Sequence, residues 1–388
     1  MKFYLDRRLY ILIGISVGWF LSIGVRIAFP ALSPFFSNDL AMDYSNMGLL
    51  FTLLWIGYAL GHIPGGILGD TYGDRLILVA STVFAGLAIF SVGTSASRLL
   101  FTASTIGFGL ATALFGPLRF TVLSNTFDEY KGTAVGITMA AGGVGNTVIP
   151  VFATIIATYL NWRYSFVILS FPFFIIGACL LVWIPERSIR GAQSDTLFNR
   201  RQFIQLLYHP KQNIITNLVV IQASFSFVFQ GFTSFLPLYL IKVKDLSPSS
   251  SVFVYAMFFG LSAIIQPLAG IATDKFSVKN SLLLFLTPGI LGLFAIPMIQ
   301  GLPQLVFTIG LISIYTGCAV ITQSKITEML PINMQGSGFG TLKSMWMLVG
   351  ASSPMLIGAI AEINYFDISF SVLGAIAFIG IIITIKRL

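Results

Sequence analysis

The chain has 388 residues, 56% of them hydrophobic and only 9% charged, with a mean hydropathy of +0.90. Soluble domains carry about 25% charged residues, so this chain lacks the polar surface to face water, and its solvent is expected to be lipid. The net charge of +8 is thinly spread and forms no basic stripe interleaved with aromatics, which argues against nucleic acid as a partner and reads instead as membrane orientation.

The N-terminus sets Lys2, Arg7 and Arg8 before an apolar run, as a signal peptide does. Arg26 interrupts that run and no small-residue cleavage site ends it, so it reads as a retained first helix. About 20 apolar residues span a bilayer, and the chain predicts twelve such spans. The first six are Tyr10–Phe36, Met47–Leu68, Leu76–Thr94, Leu99–Leu123, Thr133–Tyr159 and Tyr164–Ile184. The second six are Ile214–Ile241, Val252–Ala272, Ser281–Ile299, Gln304–Ile326, Ser337–Ala361 and Ile368–Ile385. The expected fold is therefore all-α and integral to the membrane.

With the N-terminus in the cytoplasm, fourteen Lys and Arg fall on the inner side. Only Arg98, Arg163, Lys242 and Lys244 fall outside. This positive-inside bias places both termini in the cytoplasm of a plasma-membrane protein. Between the sixth and seventh spans, Pro185–Lys211 breaks the apolar pattern with Glu186, Arg187, Arg190, Asp195, Arg200 and Arg201. The expected organisation is a six-helix half over 1–185, a cytoplasmic linker over 186–211 and a second half over 212–388. Cys179 and Cys318 lie in apolar runs, far apart, and read as small buried hydrophobes.

The halves are related by an internal repeat. Gly66 and Asp70 recur as Gly270 and Asp274, Gly132 as Gly336, Gly136 as Gly340 and Pro150 as Pro354, always at an offset of 204 residues. Self-similarity on this scale means two copies of one unit. In so apolar a chain it points to a pseudo-symmetric transporter whose site lies at the repeat interface.

Gly66-Ile-Leu-Gly-Asp70-Thr-Tyr-Gly73-Asp-Arg75 follows the second span, and a weaker copy, Gly270-Ile-Ala-Thr-Asp274-Lys275, follows the eighth. The pattern resembles the loop signature of the major facilitator superfamily. The Gly-rich fifth span, from Gly136 through Gly142, Gly143 and Gly145 to Pro150, is similar to that family's fifth helix. Physically, Gly66 permits close helix approach, and Asp70 supplies an anion for a neighbouring helix N-terminus. The resemblance implies a gating latch built on Gly66, Asp70, Arg75 and Asp274. Thr71 and Asp74 stand where the family usually has basic residues, which implies a weaker latch.

Four cations lie inside spans, and none recurs at the offset. Arg26 pairs with Gln230, Arg119 with Gln323, Lys325 with Thr121 and Lys343 with Met139. A charge required by the fold should tend to recur, whereas one required by the substrate need not. An Arg at a helix centre costs about 2.5–3.5 kcal/mol on the insertion scale, and no Asp or Glu lies at mid-span to pair with Arg26. Arg119 and Lys343 lie nearer span ends, where snorkelling is an alternative. Lys325 has a local partner three places on in Glu328. Tyr58 and His62, in a stripe with Trp55, offer hydrogen bonds. Gln230, Tyr315 and Gln323, together with Gln222 and Tyr239, supply polar groups to the second half. In the resembling family helices 1, 4, 7 and 10 line the cavity, and Arg26 followed by Pro30 looks like its organic-anion branch. The expected substrate-binding set is Arg26, Tyr58, His62, Arg119, Gln230, Tyr315, Gln323 and Lys343.

These residues predict a secondary or facilitative transporter of a small organic anion, a carboxylate, sugar acid or phosphorylated solute, working as a monomer in lipid by alternating access. Efflux of lipophilic drugs and carriage of a neutral sugar are alternatives, but a cationic drug would need a membrane-embedded acid and a sugar more in-span Asn, Gln and acids. A sensor of the same fold would be expected to append a soluble domain. Enzyme chemistry is not expected, since His62 and His209 are the two histidines and no nucleophile–base or metal spacing occurs. No cofactor or metal is expected, and no phosphate loop for ATP is seen. For coupling, a proton rides on the substrate, on His62, or is absent from the cycle.

Overall fold

The structure, a computed structural model, describes residues 2–127, 129–186, 212–330, 337–363 and 366–388. Beyond Glu186, the expected linker lies outside these residues, as does Gly336. Among the described residues the chain is helical throughout. In order the helices are α1 (Lys2–Asp39), α2 (Tyr44–Tyr72), α3 (Asp74–Thr94), α4 (Arg98–Thr126), α5 (Lys131–Tyr159), α6 (Trp162–Trp183), α7 (Gln212–Lys242), α8 (Pro248–Lys275), α9 (Val278–Ala295), α10 (Leu302–Ile314), α11 (Gly317–Met329), α12 (Ser337–Glu362) and α13 (Phe366–Arg387). Eleven stretches, 21 to 33 residues long, are apolar enough to cross a membrane, with α10 and α11 together forming one of them. The 29 residues of α2 make a helix of roughly 44 Å at 1.5 Å per residue, long enough for a twelfth crossing.

The chain resolves into two compact units, Met1–Ala41 with Leu53–Asp195, and Met42–Thr52 with Thr196–Leu388. The first turns of α2 join the second unit for identifiable reasons. The Tyr44 amide donates to Glu362 at 2.7 Å, the Met355 amide donates to the Thr52 hydroxyl at 3.1 Å, and Phe51 packs edge-on against Phe235.

The offset of 204 recurs in the contacts along the chain. Asp43 caps α2 by accepting from the Asn46 amide at 2.6 Å, and Ser247 caps α8 by accepting from Ser250 at 3.2 Å. These caps satisfy N–H groups that have no partner inside the helix. The Ser165 hydroxyl donates to the Ala153 carbonyl, and the Ser369 hydroxyl to that of Ile357.

Glycines explain how the helices of the first unit approach. On α2, Gly57, Gly61, Gly65 and Gly69 recur every four residues, and each faces a residue of the α4 row Ile106, Leu110, Leu114 and Leu118. Small residues at this spacing let helix backbones close on one another. On α5, Gly142 and Gly145 face Trp19 and Phe20 of α1. The repeated Gly132, Gly136, Gly270 and Gly340 behave differently, because among the described residues nothing lies within 4 Å of where a side chain would begin. Gly73, at φ +89°, takes the left-handed backbone that separates α2 from α3.

Candidate substrate site

The first unit buries two arginines on facing helices. Arg26 of α1 is 2% exposed and Arg119 of α4 is 3% exposed. Arg26 donates from Nη2 to the Thr112 hydroxyl on α4 at 3.0 Å. That hydroxyl gives its own proton to the Phe108 carbonyl at 2.9 Å, which leaves its lone pair for Arg26. The Arg26 guanidinium lies 3.5 Å from the centre of the Tyr58 ring and 5.3 Å from that of Trp55, both on α2. Arg119 lies 3.2 Å from the centre of the Trp19 ring on α1 and 4.4 Å from Phe120, and it donates to the Met139 sulfur of α5 at 3.6 Å.

These contacts form two rungs between α1 and α4. Trp19 meets Arg119 and Arg26 meets Thr112, the rungs lying seven positions apart on each helix. Two turns correspond to roughly 10.5 Å. The register runs in opposite senses, so the helices are antiparallel. Side chains lean toward their own helix N-terminus. The two arginines therefore lean toward each other.

Neither guanidinium has an ion pair among the described residues. Among the described residues, Nε of Arg26, and Nε and Nη1 of Arg119, are buried without an acceptor. Ring faces attract a cation and are worth about 2 kcal/mol when desolvated, but they accept no conventional hydrogen bond from these N–H groups. The pair thus keeps unspent donor capacity, in a fork geometry suited to a carboxylate or phosphate.

His62 stands one turn beyond Tyr58. Its Nδ1 donates to the Tyr58 carbonyl at 2.7 Å, and its ring meets the Tyr58 ring edge-on with centres 4.5 Å apart. That bond assigns the proton to Nδ1 and leaves Nε2 as the basic nitrogen. Nε2 lies against Gly116 of α4, 2.8 Å from where a Cβ would stand. The structure thus brings Arg26, Tyr58, His62 and Arg119 together in one unit.

The other predicted binding residues belong to the second unit. Gln230 is buried on α7 with its amide nitrogen against Gly350, and its Oε1 has no partner among the described residues. Tyr315 is buried at the break between α10 and α11, its ring 5.3 Å from that of Phe225. Gln323 and Lys343 are half-buried on α11 and α12. Gln222 accepts a hydrogen bond from Thr322. Lys325 pairs with Glu328 at 2.9 Å, the local partner its spacing offered.

Among the residues expected to form a latch, Asp70 and Asp274 are exposed near the C-terminal ends of α2 and α8. Arg75 donates to the Leu181 carbonyl and lies 3.7 Å from Glu186. Gly66 lies within α2.

Sequence reasoning passed over Thr112, Trp19 and Met139. The signal was present for two of them, since Trp19 precedes Arg26 and Thr112 precedes Arg119 by seven residues, two turns along one helix face.

The sequence profile described as Major Facilitator Superfamily matches residues 15–324. The chain belongs to this superfamily. It is therefore a multi-pass membrane transporter of that fold. Among characterised members, it is similar to the hexuronate transporter of Bacillus subtilis (strain 168), 25% identical over 61% of this chain and 59% of that protein. The match thus spans less than two thirds of that relative. It is also similar to the 3-(3-hydroxy-phenyl)propionate transporter of Escherichia coli (strain K12), 25% identical over 82% of this chain and 78% of that protein. Among solved structures, a bacterial homolog of the human lysosomal transporter Spinster, inward-facing and unoccupied, superposes with a TM-score of 0.82. It is 16% identical and covers 97% of this chain and 96% of that one. That likeness concerns the fold.

Proposed function

We propose that this superfamily member carries a small organic anion, with a carboxylate as the recognised group, and that Arg26 is its principal ligand. The observation that carries the reading is Arg26 itself, buried at mid-helix and, among the described residues, with a free Nε and only neutral partners. A guanidinium so placed binds a carboxylate with two charge-assisted hydrogen bonds. Arg119 is the second anchor, for the same carboxylate or for a further acceptor on the ligand. The names of the two relatives, a hexuronate and an arylpropionate transporter, support a carboxylate without choosing its remainder. In the second unit Gln230, Tyr315, Gln323 and Lys343 are proposed to contact the uncharged part of the solute. Carriage, not catalysis, is the proposed activity, by a monomer in the plasma membrane with both termini in the cytoplasm.

Asp70 and Asp274, with Gly66 and Arg75, are proposed to set the conformational equilibrium and not to touch the solute. His62 is proposed as the proton-carrying group, on the strength of its basic Nε2 and its contact with the ring that holds Arg26.

The test is a thermal-shift screen of the purified protein against carboxylates, sugar acids and sugar phosphates, followed by uptake into proteoliposomes. Acids that shift the wild type should fail to shift Arg26→Ala, with expression unchanged. Arg26→Lys should restore part of the effect, since a point charge lacks the fork. Undiminished uptake by Arg26→Ala would remove Arg26 from the site.

A further inference from the structure

We propose that Met139 is an oxidation site of this transporter, where a peroxide makes a sulfoxide that occupies Arg119 and weakens anion binding. The weakening rests on the anion reading above; the oxidation itself does not.

Met139 stands between an open face and a buried charge. It is 48% exposed on α5, and its sulfur accepts from Nη2 of Arg119 at 3.6 Å. Arg119 is almost fully buried, and among the described residues its Nε and Nη1 have no acceptor. A thioether is a weak acceptor, so the sulfur meets the charge without satisfying it. Of the groups recorded against this guanidinium, the rings of Trp19 and Phe120 and the sulfur of Met139, the thioether is the one that peroxides readily oxidise.

A thioether sulfur carries two lone pairs, and the bond from Nη2 engages one. The second attacks a peroxide oxygen. An S–O bond forms, the O–O bond breaks, and sulfur gives up two electrons to the departing hydroxide. That hydroxide takes the remaining peroxide proton and leaves as water, so thioether and hydrogen peroxide become sulfoxide and water. The N–H at sulfur withdraws some electron density. The free N–H groups of Arg119 act on the peroxide instead, holding it beside the sulfur and hydrogen-bonding the departing oxygen. The product then changes the site. Oxidation turns a flexible apolar side chain into a polar one, and the new oxygen is a strong acceptor already next to the guanidinium. It takes N–H groups that a solute anion needs.

The experiment treats the full chain in detergent with hydrogen peroxide and follows Met139 by peptide mass spectrometry. Met355, 53% exposed on α12, is the standard of matched exposure. Met139 should oxidise at least about fivefold faster than Met355, as one added hydrogen bond would give. Arg119→Gln should bring the two rates together. Saturating D-glucuronate, or the acid that the thermal-shift screen selects, should protect Met139 and not Met355, an arm that needs no variant. The oxidised protein should bind that acid about tenfold more weakly. Met139→Gln puts an amide oxygen at similar reach and should weaken binding without oxidant. Met139→Leu should show no change of affinity on peroxide treatment. Equal rates at Met139 and Met355 in the wild type would overturn the oxidation site. Selective oxidation with unchanged affinity, in a protein whose binding is still lost in Arg26→Ala, would overturn the competition at Arg119 and leave the anion reading standing. Binding that ignores Arg26→Ala would overturn the anion reading and the weakening with it, while the ratio of rates still decides the oxidation site.

Discussion

Arg75, in the first turn of α3, donates two hydrogen bonds to the carbonyl oxygen of Leu181 in the last turn of α6, at 3.0 and 2.6 Å. The contact recurs 204 residues later, where Lys279 in the first turn of α9 donates to the Ile385 carbonyl in the last turn of α13 at 2.7 Å. The final carbonyls of a helix lack intrahelical partners, and a cation there also meets the negative end of the helix dipole. Each unit thus ties its third span to its sixth with one basic side chain. Replacing Arg75 or Lys279 by Met should cost roughly 0.5–1 kcal/mol of stability, in line with an exposed dipole contact. Arg75 should cost the more, having a second link to Glu186. The clamps belong to different units, so the double variant should be additive within about 0.5 kcal/mol. Thermal unfolding in detergent checks this. An Arg75 variant with unchanged Tm and slowed turnover would remove the clamp and leave Arg75 its proposed gating role alone.

The rings under the arginines carry their own prediction. Tyr58 is 6% exposed, and its ring lies 3.5 Å from the Arg26 guanidinium. Tyr58→Phe keeps the π face and should transport close to wild type. Tyr58→Leu removes it, and with it about 2 kcal/mol of cation–ring attraction. The guanidinium should then lose its fixed position, and substrate affinity should fall by about thirtyfold, since about 1.4 kcal/mol is a factor of ten. Titration of the two variants with the same acid checks the order. Equal losses in both would mean that the hydroxyl, and not the ring, does the positioning.

Much of this was legible in the residues. Composition and span length give the all-helical membrane fold, because repeated apolar runs of about 20 residues in a chain with 9% charge satisfy their backbone in lipid as helices. Arg26 stood out because a mid-span cation without an acid needs a reason. Less legible was how that reason is met. Trp19, Thr112 and Met139 are ordinary residues of apolar helices until antiparallel packing of α1 and α4, and approach by α5, puts them beside a guanidinium. The repeat pointed to Gly132 and Gly136 as structural, yet both face open space among the described residues. The glycines at tight contacts, Gly61 and Gly109 among them, follow the four- and seven-residue rhythm of a helix face and not the 204 offset. The break between α10 and α11 was also hidden, since Tyr315 and Thr316 sit in a run that reads as one continuous span.

That contrast among glycines can be measured. A Cβ on Gly109 would run into the Leu54 carbonyl oxygen, a backbone atom that cannot move aside cheaply, and would stand 3.2 Å from the Tyr58 amide. Gly109→Ala should therefore be destabilising, with about 1–3 kcal/mol of overpacking against a helix-propensity gain of about 1 kcal/mol. Gly132→Ala meets nothing and should keep that gain. The Tm of Gly132→Ala should lie at or above wild type and that of Gly109→Ala below it. The reverse order would contradict the α2–α4 packing.

Asp70 is exposed near the end of α2, where neutralisation leaves the arginine site untouched. Asp70→Asn should slow turnover severalfold while the affinity for the transported acid changes by less than about twofold. Stopped-flow uptake with parallel equilibrium binding separates the two. A large loss of affinity with an unaltered rate would move Asp70 from the gate to the binding site.

His62 offers the sharpest test of coupling. With Nδ1–H committed to the Tyr58 carbonyl at 2.7 Å, proton exchange at this residue passes through Nε2, which lies against Gly116. A transport step in which His62 takes up and releases a proton should appear as a pH dependence of uptake. His62→Gln keeps a hydrogen-bonding side chain of similar reach but cannot change its charge. Uptake by the variant should lose its response to an inward proton gradient and flatten in pH, while exchange between equal pools of anion continues at close to the wild-type rate. A variant that still concentrates the acid with the wild-type pH profile would take the proton away from His62. Loss of exchange together with proton response would show instead that His62 is needed to hold Tyr58, and through it Arg26, in place.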